Sequence, residues 1–377
     1  MNDKKAAIAI IGSRGIPSEY GGFETFTEYI STEFAKNGYK IFVSCEYMDK
    51  GDRMYEYNGV NLFYFPHKSP KGGLFRILYE FMYDAYSLWW ASRRADVIYM
   101  LGYSASFFFF IPKLFGKRLL VNPDGLEWKR SKFNPLIKSL LKLSERVMVF
   151  WTKEIVADSK NIKYYFDNKY GLNCYFIPYG VSKIKKISWD ENKIDFDIIP
   201  KDYWLVVARL EPENNIEMII EGYLKSKTKL SLVIVGNFAS GKYEFLIKGL
   251  LKNKPDDKKI IFTGGIYNPE KLNMIRQNCY GYIHGHSVGG TNPSLLEAMV
   301  MKSIIIAHDN EFNREVCGDF ALYFNTSDDL SHKLELIDSN WEKFIEFGVQ
   351  AHDRVLKEYS WDGVIKDYET LLGEVSK

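Results

Sequence analysis

Apolar runs closed by a glycine or a polar break recur along the chain and set its first outline. Ala6 to Ile11 is continuous and ends at Gly12, the pattern of a parallel strand buried on both faces. A glycine-punctuated loop leads to Gly22. Helical spacing then runs through Phe26, Tyr29, Ile30 and Phe34 and stops at Gly38. Ile41 to Ser44, Val97 to Met100, Arg118 to Val121 and Glu154 to Ala157 read as further strands between helical stretches. After a polar stretch from Ser182 to Lys201 the pattern restarts. Trp204 to Ala208, Leu230 to Val235, Lys259 to Phe262, Gly281 to His284 and Ser303 to Ala307 are strands, and Ile216, Ile219, Ile220 and Tyr223 have helical spacing. Alternating strand and helix predicts α/β units with mostly parallel sheets, here two Rossmann-like halves joined near residues 182–200.

The length of 377 residues suits two domains, and a composition of 46% hydrophobic and 26% charged residues is globular. Charge is uneven. Residues 1–180 carry 25 Lys/Arg against 18 Asp/Glu, a net +7, and residues 181–377 carry 25 against 30, a net −5. The basic half points to an anionic partner. Cys45, Cys174, Cys279 and Cys317 are far apart and form no metal-ligand spacing, so they read as thiols of a reducing cytosol. No signal peptide is expected, because the run after Met1 is too short. The apolar stretch Tyr99 to Leu114 contains Pro112 and is too short to span a bilayer. The expectation is a cytoplasmic protein, soluble or peripheral on a membrane.

Two segments of the second half carry candidate chemistry. Arg209, in Val207-Ala208-Arg209-Leu210-Glu211-Pro212-Glu213-Asn214-Asn215, follows a strand, at the edge where open α/β sheets bind ligands. A guanidinium there suits a diphosphate. The second segment runs from Tyr282 to Met299 through His284, His286, Gly289 and Gly290 into a helix. Asn292 is a good N-cap and Pro293 a good first helical residue. Free amides from Thr291 to Ser294 would then form an anion site with the helix dipole, and Glu297, one turn in, could accept hydrogen bonds from a ribose. Taken singly, each has a plainer reading: Arg209 as an ion-pair residue, the histidines as structural groups, Glu297 as a capping acid.

In the first half, Gly12, Gly15, Gly21 and Gly22 let the loop after the first strand approach a ligand, with Arg14 and Glu19 as further candidates. The spacing is not GxGxxG and no acid ends a second strand, so a nicotinamide fingerprint fails. Asp124, in Asn122-Pro123-Asp124-Gly125, follows a strand and is a catalytic candidate, or simply a turn residue. Lys113 to Lys153 holds ten Lys/Arg against three Asp/Glu. Within it, Asn134-Pro135 opens a helix with Lys138, Lys142 and Arg146 among Leu136, Ile137, Leu140, Leu141 and Leu143. That helix either meets an anionic membrane or a lipid-linked acceptor, or faces the core with a solvated basic side. No nucleic-acid module is recognised.

The paired segments ARLEPENN and GGTNPSLLEAM resemble the C-terminal half of family 4 glycosyltransferases of the GT-B fold. IIGSRGIPSEYGGFETFTEYIS, with VNPDGLEWKR, VADS and IPYG, resembles bacterial rhamnosyltransferases of surface-polysaccharide assembly. The resemblance implies two Rossmann-like domains facing across a cleft. Residues 1–181 form the acceptor side, joined by a C-terminal helix at about 360–377, and residues 200–358 form the donor side. It implies transfer of L-rhamnose from its thymidine diphosphate donor to a polyprenyl-diphosphate-linked saccharide, with retention and without metal or other cofactor. Arg209 would bind the diphosphate, Glu297 the ribose and the 291–294 helix start the phosphates. Asn214 stands where the family usually has a lysine, and Gly289 where it usually has an acid. A nucleotide-sugar epimerase and a non-catalytic GT-B subunit remain as alternatives.

Overall fold

The computed structural model describes residues 5–18, 22–70, 72, 74–130, 133–185 and 187–375. The chain divides into two compact units. The first comprises Met1–Lys129, Phe133–Tyr179 and Asp362–Lys377, the second Arg130–Lys132 and Gly180–Trp361.

The first unit is built on β1 (Ala7–Ile11), α1 (Gly22–Lys36), β2 (Lys40–Cys45), β3 (Glu56–Tyr57), β4 (Val60–Tyr64), α2 (Leu74–Ser92), β5 (Val97–Leu101), α3 (Phe110–Leu114) and β6 (Arg118–Asn122). They are followed by α4 (Pro135–Trp151), β7 (Val156–Ala157), α5 (Lys160–Tyr170) and β8 (Tyr175–Phe176). The sheet order is β3-β4-β2-β1-β5-β6. It is parallel except for the β3–β4 hairpin, whose turn residues Asn58 and Gly59 have φ of 47° and 82°, the left-handed pair that tight hairpins require. This hairpin and β4 lie outside the strands expected from the apolar runs. Phe26, Ile30 and Phe34 line the buried stripe of α1, which closes where the Gly38 N–H donates to Ala35 O and the Tyr39 N–H to Phe34 O.

The second unit contains β9 (Tyr203–Val207), α6 (Ile216–Lys225), β10 (Ser231–Val235), α7 (Gly241–Leu250), β11 (Ile260–Gly264), α8 (Pro269–Gln277) and β12 (Gly281–His284). It continues with α9 (Pro293–Val300), β13 (Ile305–His308), α10 (Glu311–Cys317), β14 (Leu322–Phe324) and α11 (Ser327–Glu358). Its sheet, β11-β10-β9-β12-β13-β14, is parallel throughout. Trp204, Val206, Ile219, Ile234, Ile283 and Ile306 share one core, and α11 packs on α6 and α9.

The last helix, α12 (Trp361–Val375), returns to the first unit. There Tyr368 hydroxyl meets Tyr99 hydroxyl at 2.6 Å, and its ring lies 5.9 Å from that of Phe26. All four cysteines are buried free thiols. Among the described residues no helix is long and apolar enough to cross a membrane.

The basic helix of the sequence is α4, with the Asn134 side chain accepting from the Ile137 N–H. Its inward side is Ser144, Glu145, Met148 and Val149. Glu145 is fully buried and accepts from Trp128, Tyr165, Lys169 and Tyr170. The core-facing expectation fails for three of its leucines: Leu136 is 70% exposed and Leu140 and Leu143 are also exposed, as is Phe150 at 74%, while Leu141 is half-buried. Leaving such side chains in water forgoes about 1.5–3 kcal/mol apiece relative to full burial.

Candidate functional site

In the second unit the chain starts at the sheet's centre, winds outward through β10 and β11, then returns to the other side of β9 as β12. Such a reversal opens a crevice at the strands' carboxyl ends. Arg209 lies just past β9 and the His286 loop just past β12, so the two segments singled out in the sequence flank that point. The loops are stitched together. Asn215 Nδ2 donates to Gly285 O at 2.7 Å, and Ser287 N–H and Oγ both donate to Glu213 O at 2.9 Å. A Cβ at Gly285 would lie 2.1 Å from Asn214 O, so only glycine allows this approach.

Arg209 keeps a half-exposed side chain, 52%, with a loose ion pair to Glu211 at 3.4 Å. Asn214 does not project beside it. It is buried, its Nδ2 donates to Arg209 O at 2.8 Å, and its Oδ1 faces His286 Nδ1 at 2.8 Å. Because the amide NH2 is committed, Oδ1 must accept, which places the imidazole proton on Nδ1. Asn214 is thus a strut between the loops, with both ends of its amide used inside the protein. His286 is held at its carbonyl by Asn310 Nδ2 and Asn313 Nδ2, each at 2.9 Å. Loss of solvent around the ring is the main cause pushing its pKa down to about 4. Burial likewise pushes His284 well below the usual range and lowers His308. The imidazoles here are neutral near pH 7.

The start of α9 differs from expectation. Ser294 N–H is taken by Asn292 Oδ1 at 3.0 Å, and the Leu295 and Leu296 amides donate to Asn292 O. Pro293 has no N–H, so the helical amides are already used. An anion here is left with the glycine backbone before the cap and the dipole of the helix. Gly289, at φ 119° with His286 Nε2 3.3 Å from where its Cβ would be, keeps this loop close to the imidazole. Thr291 is buried. Glu297, 33% exposed, is paired through Oε2 with Arg276 Nη2 at 2.6 Å, and Arg276 is only 5% exposed. Arg276, Asn310 and Asn313 escaped the sequence reading, since they reach the loops from α8 and from the turn into α10.

The first unit has the same reversal between β1 and β5. Gly12 has φ 94°, and a Cβ there would meet Leu101 O at 2.3 Å. Gly15 has φ 116°, and its Cβ would meet Cys45 Sγ at 2.6 Å. Both glycines are therefore required by neighbouring strands, a reason other than the ligand approach expected for them. Arg14 is exposed, its N–H donating to Glu24 Oε1 at 3.0 Å, and Ser18 N–H donates to Glu28 at 2.6 Å. Gly22 is exposed at the first position of α1, while Glu19 and Gly21 lie outside the described residues. Asp124 takes φ 52°, its N–H donating to Asn122 Oδ1 at 2.9 Å. Burial pushes Tyr179 well above its ordinary range, and the carboxylates of Asp158, Asp124 and Glu24 add to that. Glu24 and Asp158 were not among the expected site residues.

With these two edges described, known proteins supply a comparison. Residues 191–352 match the model of glycosyl transferases group 1, and residues 5–182 match a domain of unknown function, DUF1972. The first of these matches lies within the second unit. A sucrose-phosphate synthase of Thermosynechococcus elongatus superposes with a TM-score of 0.82 at 13% identity, covering 98% of this chain and 99% of that one. Anabaena HepE in complex with UDP-glucose superposes at 0.76 and 13% identity, covering 97% and 99%. The fold is GT-B, and Arg209, His286 and Glu297 all lie in the segment that matches glycosyl transferases group 1. An uncharacterized glycosyltransferase of Methanocaldococcus jannaschii is 26% identical over 58% of this chain and 57% of its own length. A probable sucrose-phosphate synthase of Thermosipho melanesiensis is 24% identical over 52% and 47%. The chain thus spans about half the length of these two relatives.

Proposed function

We propose that the protein is a glycosyltransferase that moves a hexosyl group, L-rhamnose from its thymidine diphosphate donor, onto a polyprenyl-diphosphate-linked saccharide. The reaction would belong to bacterial surface-polysaccharide assembly and take place in the cytoplasm, at the inner face of the membrane. The observation that carries the reaction class is the stitched pair of loops at the β9/β12 reversal, inside a segment that matches glycosyl transferases group 1. A UDP-glucose complex of a protein with the same fold supports a nucleoside diphosphate sugar as donor. The first unit's opening motifs support rhamnose and a lipid-linked acceptor.

In this reading Arg209 neutralises the departing diphosphate and Glu297 accepts from the ribose. The Gly289-Gly290-Thr291-Asn292 backbone and Ser294 lie along the phosphates. His286, with its proton on Nδ1, offers Nε2 as an acceptor to a sugar hydroxyl. The acceptor oxygen bonds to the anomeric carbon as the carbon–oxygen bond to the diphosphate breaks. The acceptor's proton passes to a leaving-phosphate oxygen, so configuration is retained without an enzymic nucleophile. Asp124 and its acidic neighbours hold the acceptor's hydroxyls. Arg209 and the α9 dipole supply the positive charge that a metal would otherwise bring, so turnover should survive EDTA. Abolition by chelation with rescue by magnesium would refute that.

The deciding experiment offers dTDP-rhamnose and a panel of other nucleotide sugars with lipid-linked acceptors and reads products by mass spectrometry. An acceptor heavier by one deoxyhexose is expected. A changed donor without any acceptor would mean an epimerase, and binding without turnover a non-catalytic subunit.

A further inference from the structure

Two neighbouring segments of the first unit turn large apolar side chains outward: residues 106–118 around α3, and α4. They form one surface. Ser106 Oγ donates to Ser144 O of α4 at 2.7 Å, and the Phe110 and Trp151 rings lie 6.2 Å apart. Leu114, Phe115, Leu136, Leu140, Leu143 and Phe150 are all exposed on it. An exposed apolar patch of this extent marks an interaction site.

The same surface is cationic. Lys113, Lys142 and Arg146 are exposed and Lys138 is half-buried, whereas Glu145, the acid of α4, is turned fully inward. Between Val97 and Asn122 the sequence contains no Asp or Glu. Lys113 and Lys153 also flank Phe150 and Trp151 around a depression at the end of α4, which Arg118 and Glu154 line as an ion pair. Apolar side chains beside an excess of cations match the two layers of an anionic leaflet, acyl chains and phosphates. A second copy of this chain fits less well, because a two-fold interface would set these cations against themselves.

We propose that this face docks the protein on an anionic lipid bilayer. The helix α4 lies in the headgroup plane, with its leucines and Phe150 among the upper acyl chains and Lys113, Lys138 and Arg146 against lipid phosphates. The face gives the membrane position stated above its surface, and so rests on that part of the proposed function. It does not depend on the sugar chemistry, and its test reads no turnover, so failure of one is distinguishable from failure of the other.

The experiment is flotation of the full chain with vesicles of phosphatidylcholine alone or mixed with phosphatidylglycerol. The parent should float with the mixed vesicles at low salt and be partly released at high salt, because screening shortens the reach of the charges to roughly 8 Å at physiological ionic strength. Lys113→Glu, Lys138→Glu and Arg146→Glu together should weaken this binding on the order of 100-fold, since each basic side chain near a leaflet multiplies affinity about fivefold. Leu136→Ser, Leu140→Ser and Phe150→Ser together should weaken it at least tenfold, roughly the loss expected when acyl-chain contacts are removed, and eliminate the salt-resistant fraction. Both variants change surface positions and should melt as the parent does. A parent that fails to float, or variants that float as it does, overturns the proposal. So does a parent dimer that the serine variant converts to monomer.

Discussion

At the carboxyl edge of the second sheet a half-exposed arginine, Arg209, stands beside imidazoles kept neutral by burial. At the equivalent edge of the first sheet, Glu24, Asp124 and Asp158 act together on buried Tyr179. Both edges come from the same strand reversal and both are floored by glycines that only the backbone geometry can explain. The difference lies wholly in the side chains that the loops deliver. Topology places a site, and loop residues decide what it can bind: in the proposed reaction one edge would take a leaving diphosphate and the other neutral hydroxyl groups. It also relocates the basic excess of the first half. Four of those cations, Lys113, Lys138, Lys142 and Arg146, stand on α3 and α4.

The contrast can be broken most sharply at Arg209. If the second edge works by neutralising a departing diphosphate, Arg209→Ala should lower kcat by roughly 100-fold or more with an unchanged melting temperature. Near-normal kinetics would remove the cation from the site. Glu297→Gln comes next, because a charge-assisted hydrogen bond is worth about 1.5–3 kcal/mol. Affinity for the free nucleotide, measured calorimetrically, should fall on the order of 10–100-fold. The same change strands buried Arg276, so the melting temperature should fall as well; unchanged affinity with a lowered melting temperature would make the pair purely structural.

A smaller effect tests the other edge. Asp124→Asn keeps a residue tolerant of positive φ and removes only the charge. KM for the acceptor should rise about tenfold, as for loss of one charge-assisted hydrogen bond, while donor affinity stays constant; the reverse split would merge the two roles. The smallest effect is a pH dependence. His286 has a folded pKa of about 4, below its unfolded value of roughly 6.5. The unfolded chain therefore takes up the proton first as pH falls, and stability is lost between about pH 6.5 and 4. His286→Gln should flatten part of that decline in thermal melts from pH 7 to 4.5, and an identical slope in the variant would show that other groups carry it.

Much of the scaffold was legible because buried parallel strands are continuous apolar runs: Ala7–Ile11, Tyr203–Val207 and Ser231–Val235 stand out by that alone. Arg209 and Glu297 were legible because each sits at a fixed offset from such a strand or from a capped helix start. Strand β4 was passed over, although Asn58-Gly59 before Val60 is a hairpin signal. Its alternating Val60-Asn61-Leu62 start lacks the unbroken run that marked the others. The cap at Asn292 was readable from the sequence, but not that its own oxygens would consume the amides reserved for phosphate. Arg276 and the Asn310–Asn313 clamp could not be read, because only the folded sheet brings α8 and the β13–α10 turn to those loops. Asn214 looks like a ligand in the sequence for the same reason: nothing local shows that His286 waits for its amide.

The final helix has a consequence for how the molecule is made. Tyr368, Leu371, Leu372 and Val375 of α12 are buried in the first unit, where Tyr368 lies against Phe26 and Tyr99. A ribosome delivers those side chains only after it has delivered the whole second unit. Domains generally mature in the order of their synthesis, but here the unit begun first is finished last. Its aromatic wall stays open to chaperones until the tail is threaded back, while the second unit can close on its own.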